Sequence, residues 1–125
     1  GQHFYNLKHL TILKKVFNHS KILSMIKKLK TLEFLGAYDN NELKGVIATN
    51  DNRKQICCFF VKAQYHRQGI GRRLWEYLLE NSLSKIITVN SSPYAVCVYH
   101  KFGFTDLDTE QVSDGIRYTA MKYER

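Results

Sequence analysis

A strand followed by a glycine-bearing turn and a helix constrains the fold of this chain more than any other feature. Residues 56–61 form an apolar run that predicts a strand, and residues 74–80 have helical apolar spacing. Between them lies the segment Tyr65-His66-Arg67-Gln68-Gly69-Ile70-Gly71-Arg72-Arg73. The first N–H groups of a helix lack partners within it, and glycines let a ligand approach them. With three arginines beside it, this segment predicts a site for a phosphate-bearing ligand.

Two common phosphate loops do not fit the segment. A P-loop requires Lys and then Ser or Thr after its second glycine, where this chain has Arg72 and Arg73. The dinucleotide fingerprint requires a third small residue, where this chain has Leu74, and an acidic residue about 20 positions later. The phosphate loop therefore belongs to another class.

A second motif lies downstream, in residues 89–104, and it predicts a short helix. Ser91 or Ser92 is suited to cap this helix, and Pro93 is suited to its first position. Gly103 is suited to the left-handed residue that ends a helix. The order of the two motifs along the chain, glycine loop first and short helix second, narrows the set of candidate families.

Together the two motifs resemble those of the GNAT acetyltransferase superfamily. Its loop Gln/Arg-x-x-Gly-x-Gly/Ala follows a strand and opens a helix, as residues 66–71 do here, with His66 in place of Gln or Arg. Its second conserved region carries an Ala and a Tyr on one short helix before a Gly-Phe, matching Ala95, Tyr99 and Gly103-Phe104. The resemblance covers nearly the whole chain and is firmest over residues 32–123.

The resemblance implies an α/β (α+β) fold, with a central mixed, mostly antiparallel sheet flanked by helices and a splayed strand pair for coenzyme A. Residues 1–125 would form a single acetyltransferase domain whose first strand is short or missing, because only residues 1–6 precede the first predicted helix. Acetyl-CoA would be the cosubstrate. The implied cofactor-binding residues are Phe59, Phe60, Val61, His66, Arg67, Gln68, Gly69, Ile70, Gly71 and Arg72.

The implied reaction is direct transfer of an acetyl group to a primary amine of a small molecule or a peptide. Tyr99 lies where the family places its general acid, and a phenol with a pKa of about 10 keeps its proton at pH 7. A covalent acyl carrier at Cys57 or Cys58 is an alternative. The general base stays open among Glu33, Glu42, His66 and His100.

Short apolar runs bounded by turn residues predict the remaining elements. Strands are expected over residues 32–38, 43–49, 55–61 and 86–89. A final hairpin is expected from residues 105–111 and 116–123 around Ser113-Asp114-Gly115. Lysines and apolar residues alternate at helical spacing near the start, which predicts helices over residues 7–17 and 20–30.

The chain carries a net charge of +8, with its lysines concentrated before the first acidic residue, Glu33. A solvated face of amphipathic helices is the simpler interpretation, and nucleic-acid binding is the alternative. The three cysteines have neither disulfide nor metal-ligand spacing. No segment approaches the roughly 20 apolar residues of a membrane span, and no secretory signal pattern opens the chain. We expect a cytoplasmic monomer or homodimer without a metal or membrane partner.

The function hypotheses come from different classes. The first is a cytoplasmic N-acetyltransferase. The second is a non-catalytic acyl-CoA-binding regulatory module, against which the presence of Tyr99 argues. The third is a binder of nucleic acid or an anionic surface through the N-terminal lysines, and no RRM, zinc or helix-turn-helix pattern supports it.

Overall fold

A computed structural model describes residues 3–7, 32–39, 42–50 and 52–125. In these ranges a mixed sheet carries helices between its strands, which confirms the predicted fold class. In chain order the elements are β1 (His3–Leu7), β2 (Glu33–Asp39), β3 (Glu42–Asn50), β4 (Gln55–Val61), a 3₁₀ turn (Ala63–Tyr65), α1 (Ile70–Asn81), β5 (Ile86–Ser91), α2 (Val96–Phe102), β6 (Thr105–Asp106), β7 (Gln111–Ser113) and β8 (Ile116–Glu124). The strand order is β1-β2-β3-β4-β5-β8-β6, and β7 pairs with β8.

The pairing of β4 with β5 creates the feature on which the site depends. These two strands run parallel and pair at Gln55 with Thr88 and at Ile56 with Val89. Against β3, Ala48 pairs with Cys58 and Thr49 with Ile56, so that Cys57 is the extra residue of a β-bulge. The bulge bends β4 directly after its last pair with β5, and beyond that point the two strands separate. This is the splayed pair that the family resemblance implied.

Helix α1 covers one face of the sheet and forms the main core with it. Its Ile70, Leu74 and Leu78 recur every fourth residue and are buried, as is Trp75. They pack with buried residues of five strands, namely Leu35, Ala37, Ile47, Ile56, Ile87, Val89 and Met121. Burying one such side chain contributes roughly 1.5–3 kcal/mol, so this packing fixes how α1 lies on the sheet.

Two arginines hold the C-terminal end of α1. Arg125 donates from its guanidinium to the carbonyl oxygens of Leu79, Ser82 and Ser84. Arg53 donates to the carbonyl of Asn81, the last residue of α1. Cations are favourable where a helix dipole is negative and its last carbonyls are free. These bonds anchor the helix at its C-terminal end. Its opposite, positive end faces the space where β4 and β5 separate.

The structure corrects several sequence expectations about element bounds. A first strand is present, because β1 pairs with β2 over five residues and ends at Leu7, where a helix was expected to begin. The rest of the helix predicted over residues 7–17, and all of that over 20–30, lies outside the described residues. The expected strand over residues 105–111 is wrong in its middle, because residues 107–110 leave the ladder between β6 and β7. Asp114 and Gly115 turn that hairpin at φ 52° and 76°, as predicted.

The predicted cap of the second helix is also wrong. Helix α2 begins after Ala95, without a side-chain cap, and Pro93 lies in the preceding turn. Ser91 ends β5, and its hydroxyl donates to the carbonyl of Ser92. In the part of the chain that the structure describes, no helix is both long and apolar enough to span a membrane.

Gly45 of β3 sets how closely α1 approaches the sheet. A methyl group there would lie 2.9 Å from the carbonyl oxygen of Phe60 and 3.2 Å from side-chain atoms of Leu74 and Val61. We therefore expect Gly45→Ala to lower the free energy of unfolding by about 1–3 kcal/mol, measured by urea denaturation.

Gly71→Ala is the matched control for that experiment. A methyl group at Gly71 meets its nearest atoms at 3.6–3.7 Å, an ordinary contact, and alanine is the better helix former. This control should keep or raise the stability. A Gly45→Ala protein as stable as the wild type would show that the approach of α1 is not limiting.

Candidate active site

A cleft of about 520 Å³ opens where β4 separates from β5. Its walls come from the end of β4, the following loop, the first turn of α1, and α2 with the turn before it. The lining residues are Phe59, Val61, His66, Arg67, Gly69, Ile70, Gly71, Arg72, Tyr94, Ala95, Val98, Tyr99, Lys101 and Phe102. Both sequence motifs thus meet in one cavity.

The first turn of α1 presents uncapped main-chain amides to this cleft. The first helical hydrogen bond runs from the N–H of Arg73 to the carbonyl of Gly69, at 3.1 Å. Gly69 adopts a left-handed conformation at φ 80°, no side chain caps the helix, and its first turn contains no acidic residue. The amides before Arg73 therefore keep their donors and the positive end of the dipole open to an anion.

The end of β4 offers a second row of main-chain groups. The N–H of Lys62 donates to the carbonyl of Lys44, and Val61 pairs in register with Gly45. Because bonding alternates along an antiparallel ladder, Phe60 directs its main-chain groups toward β3. Those of Phe59 and Val61 point to the other side, where β5 has separated. The free edge of β4 can therefore pair with an extended ligand that carries amides.

The loop between β4 and α1 folds back on the end of the strand. The N–H groups of Tyr65 and His66 donate to the carbonyls of Lys62 and Ala63. The Nε2 atom of His66 lies 2.6 Å from the carbonyl oxygen of Val61. Arg67 follows at φ 64°, which turns the chain toward Gly69. These contacts make the loop compact, and they hold the amides of the first turn of α1 next to the free edge of β4.

Aromatic side chains hold the two helices and β4 together beneath the cleft. Phe102 of α2 lies parallel to Trp75 of α1 and is also stacked on Phe59 of β4, with ring centroids 6.1 and 6.2 Å apart. The guanidinium of Arg72 lies 5.2 Å from the centre of the Phe102 ring and donates to the carbonyl of Lys101. Arg72 thus joins the two walls through a cation–π contact and a hydrogen bond.

Tyr99 is fixed in both backbone and ring by the end of α2. The N–H of Phe104 donates to the carbonyl of Tyr99, and that of Gly103 donates to His100, with Gly103 at φ 100°. This is the Schellman arrangement that ends helices, and its apolar contact is the Tyr99–Phe104 ring pair, with centroids 5.1 Å apart. Gly103 therefore ends α2 as predicted, and the sequence Gly-Phe is what immobilises Tyr99.

The Tyr99 hydroxyl keeps its proton under all ordinary conditions. Tyr99 is only 5% exposed, and this burial raises the pKa of its hydroxyl well above the usual value. The electrostatic interaction with Cys58 raises this pKa further, by a smaller amount. A buried phenol of this kind is a proton donor, not an anion, at neutral pH.

The structure brings most of the predicted site residues together. Phe60 and Gln68 are not among the lining residues, and the main-chain groups of Phe60 point toward β3. The sequence analysis missed five lining residues on the α2 side. They are Tyr94, Ala95, Val98, Lys101 and Phe102. The sequence could have indicated them, because they lie three or four positions from one another or from Tyr99. In the helix predicted from Pro93 onward, such positions share one face with Tyr99.

A comparison with protein-family models identifies the chain. Residues 5–125 match the model described as an acetyltransferase (GNAT) domain. The chain belongs to the GNAT acetyltransferase family. Acetyl-CoA is the acetyl donor used by this family.

Solved GNAT structures share the fold of this domain. An IAA acetyltransferase from Bacillus cereus is 14% identical, with a TM-score of 0.77 and all of both chains covered. A GNAT family acetyltransferase from Elizabethkingia anophelis, solved with acetyl-CoA bound, is 19% identical, with a TM-score of 0.77 over 99% of this chain and 98% of the other. A Bacillus subtilis acetyltransferase in complex with CoA is 16% identical, with a TM-score of 0.79 over 100% and 99%.

A curated relative is longer than this GNAT domain. The UPF0157 protein YqkA of Bacillus subtilis is 25% identical over 113 residues, which are 82% of this chain. The chain spans about a third of that relative, since the match covers 33% of its length.

Three of the four candidate bases are placed away from the cleft of the GNAT domain. Glu33 pairs with Arg53 at 2.6 Å beside the C-terminal end of α1, and the 12-residue length of that helix, about 18 Å, separates it from the cleft. Glu42 lies 3.9 Å from Lys62, and His100 lies 2.6 Å from Asp106. Only His66 of the four is a lining residue.

The two strand cysteines do not line the cleft. Cys57 is the exposed bulge residue of β4, and Cys58 is buried next to it. The Cys58 thiol lies close enough to Tyr99 to raise the pKa of its hydroxyl. This placement gives no support to a covalent acyl carrier.

The raised pKa of Tyr99 predicts a stability change at high pH. The folded state holds this proton more tightly than the unfolded chain does, so the stabilisation is complete below about pH 10 and is lost as the pH rises further. Between pH 10 and 11 we expect wild-type protein to lose about 1 kcal/mol more stability than Tyr99→Phe. Urea denaturation followed by Trp75 fluorescence at pH 8, 10 and 11 measures this, and parallel pH profiles for the two proteins would contradict it.

Proposed function

We propose that this protein is an N-acetyltransferase that moves the acetyl group of acetyl-CoA directly to a primary amine of a small molecule or a peptide. The observation that carries the proposal is the cleft at the splay of β4 and β5. In it, uncapped amides of α1, a free strand edge and a buried phenol face one space. These are the groups that a diphosphate, an amide-bearing arm and a departing thiolate require.

The acetyl donor, acetyl-CoA, would lie along the length of the cleft. The diphosphate of coenzyme A would rest on the amides of residues 67–72, with Arg67 and Arg72 adding charge. The pantetheine arm, which carries two amides, would extend along β4 and pair with Phe59 and Val61. This course leads from the loop toward Tyr99. Two solved GNAT structures of the same fold contain acetyl-CoA or CoA, which supports this choice of ligand.

The chemical step follows from the position of Tyr99. An amine attacks the thioester carbonyl, a tetrahedral intermediate forms, and its collapse breaks the C–S bond. The hydroxyl of Tyr99 would donate its proton to the departing sulfur, since it is protonated and buried. The amine must itself lose a proton, which passes to solvent before the attack.

The acceptor is assigned only as a class. The segment of residues 105–114 carries four carboxylates and no cation in a chain with a net charge of +8. Two of them are occupied, because Asp106 pairs with His100 and Glu110 with Arg117. An acidic strip of this kind favours the approach of a cationic amine. In the described part of the chain Cys57, Cys58 and Cys97 form no disulfide, which fits a reducing, cytoplasmic setting.

An amine panel with acetyl-CoA tests the proposal. The panel contains polyamines, amino acids, aminoglycosides and peptides with free N-termini or lysines, and products are detected by mass spectrometry. Thiol reagents are unsuitable because Cys57 and Cys97 are exposed. Acetylated product with any member supports the enzyme. Tight binding of acetyl-CoA with no product across the panel would favour the non-catalytic binding module.

Tyr99→Phe separates chemistry from binding. Removing the proton donor should lower kcat by about 10²–10⁴-fold while the Kd for acetyl-CoA changes less than about twofold. Tyr123→Phe is the matched control, since Tyr123 packs on Trp75 outside the cleft lining and loses the same hydroxyl. A Tyr99→Phe enzyme with wild-type kcat would remove Tyr99 from the role of acid.

Gly71→Val tests the placement of the diphosphate. The added side chain would point toward Phe59 and Val61, into the space between the first turn of α1 and the free edge of β4. We expect the Kd for coenzyme A, measured by calorimetry, to rise at least about tenfold, and Gly71→Ala to have a smaller effect. Unchanged affinity in the valine variant would place the cofactor elsewhere.

A further inference from the structure

The His66 ring makes a contact that the amide scaffold of the loop does not require. Its Nε2 atom lies 2.6 Å from the carbonyl oxygen of Val61. A carbonyl only accepts, so Nε2 carries the hydrogen and donates it. The other ring nitrogen, Nδ1, is then the atom that gains a second proton when the ring becomes charged. This bond closes the loop of residues 61–66 at the point where β4 meets the cleft.

His66 is also the lining residue that carries an imidazole, the side-chain type that ordinarily gains or loses its charge nearest to neutral pH. In the cleft lining, Arg67 on the loop, Arg72 on α1 and Lys101 on α2 remain cationic, while Tyr94 and Tyr99 remain neutral. Farther out, Lys62 pairs with Glu42, Glu76 lies 4.0 Å from Arg72, and Lys44 lies over the Tyr65 ring. No carboxylate is among the lining residues that the structure describes.

We propose that His66 is a positioning residue that ties the phosphate loop to the end of β4 and takes up a proton when the cofactor's diphosphate binds. The proposal rests on the proposed function, because it assigns the diphosphate to this loop. The family has Gln or Arg at this position, and neither side chain could take up a proton when the diphosphate binds. A glutamine could donate to Val61 but could not titrate, and an arginine would stay charged.

The charges around the His66 ring decide whether binding of the diphosphate favours or disfavours protonation of the ring. In the empty cleft, Arg67 and Arg72 disfavour a further positive charge on the ring. A bound diphosphate brings two negative charges to the same loop, and the interaction of the ring with its surroundings changes sign. Binding and protonation then favour one another, so affinity for the cofactor should fall as the pH rises through the range in which imidazole titrates.

The experiment measures binding of 3′-dephospho-coenzyme A by calorimetry at pH 6.0, 6.75 and 7.5. This probe lacks the 3′-phosphate, which would itself titrate in the same range. Each titration is run in two buffers with different ionisation enthalpies, which counts the protons taken up. The proteins are wild type, His66→Gln, which keeps a donor for Val61, and His66→Ala, which does not. Urea denaturation verifies that each variant is folded.

Wild-type protein should take up a fraction of a proton, and its affinity should fall about three- to tenfold from pH 6.0 to 7.5. His66→Gln should show no proton uptake and an affinity that varies less than about twofold. His66→Ala should bind about fivefold more weakly than His66→Gln at every pH, since the tie to Val61 is lost. The NMR signal of the His66 imidazole C–H is identified as the one absent from the spectrum of His66→Gln. When this signal is followed as a function of pH, its midpoint should lie at a higher pH with the probe bound than without it.

Two results would overturn the inference. One is proton uptake by His66→Gln equal to that of wild type, and the other is His66→Ala binding as tightly as His66→Gln. Either leaves the proposed function standing. If wild-type protein binds neither this probe nor coenzyme A, the proposed function itself fails, so the two failures are distinguishable.

Discussion

The structure depends on one geometric feature, the separation of β4 from β5 after only two paired positions. A parallel pair normally continues, and leaving it exposes main-chain donors and acceptors that must find other partners. The bulge at Cys57 turns β4 away, and the main-chain groups of Phe59 and the N–H of Val61 then face a cleft instead of a strand. A ligand that carries amides could restore the missing ladder, and in the proposed function the pantetheine arm of coenzyme A does so.

The surrounding packing fixes this opening. Helix α1 is held at one end by Arg53 and Arg125 and along its length by buried aliphatic contacts, so its free amides keep a set position. On the other wall, the Gly103 turn and the Phe104 ring hold Tyr99. These contacts set the spacing between the first turn of α1 and Tyr99, the two groups that the proposed function assigns to the diphosphate and to proton donation. Rigid placement of both groups is what catalysis by positioning requires.

Much of this arrangement follows from sequence, because its signals are local. The glycine loop after a strand and the Gly-Phe after a helical tyrosine specify backbone conformations within a few residues, and the structure has them at Gly69 and Gly103. Other features depend on distant partners. Nothing local marks Cys57 as a bulge, since the extra residue is defined only by its register against β3. Ser91 has cap chemistry, but pairing with Thr119 keeps it in β5, so α2 starts later.

The central claim is that main-chain amides of residues 67–72 hold the diphosphate of coenzyme A. A ¹⁵N-labelled sample titrated with coenzyme A tests it most directly, because every amide reports separately. The account predicts saturable shifts that are largest at Gly69, Ile70 and Gly71, with smaller shifts at Phe59 and Val61. Saturable shifts that leave these amides unmoved, with the largest changes elsewhere on the sheet, would contradict the account.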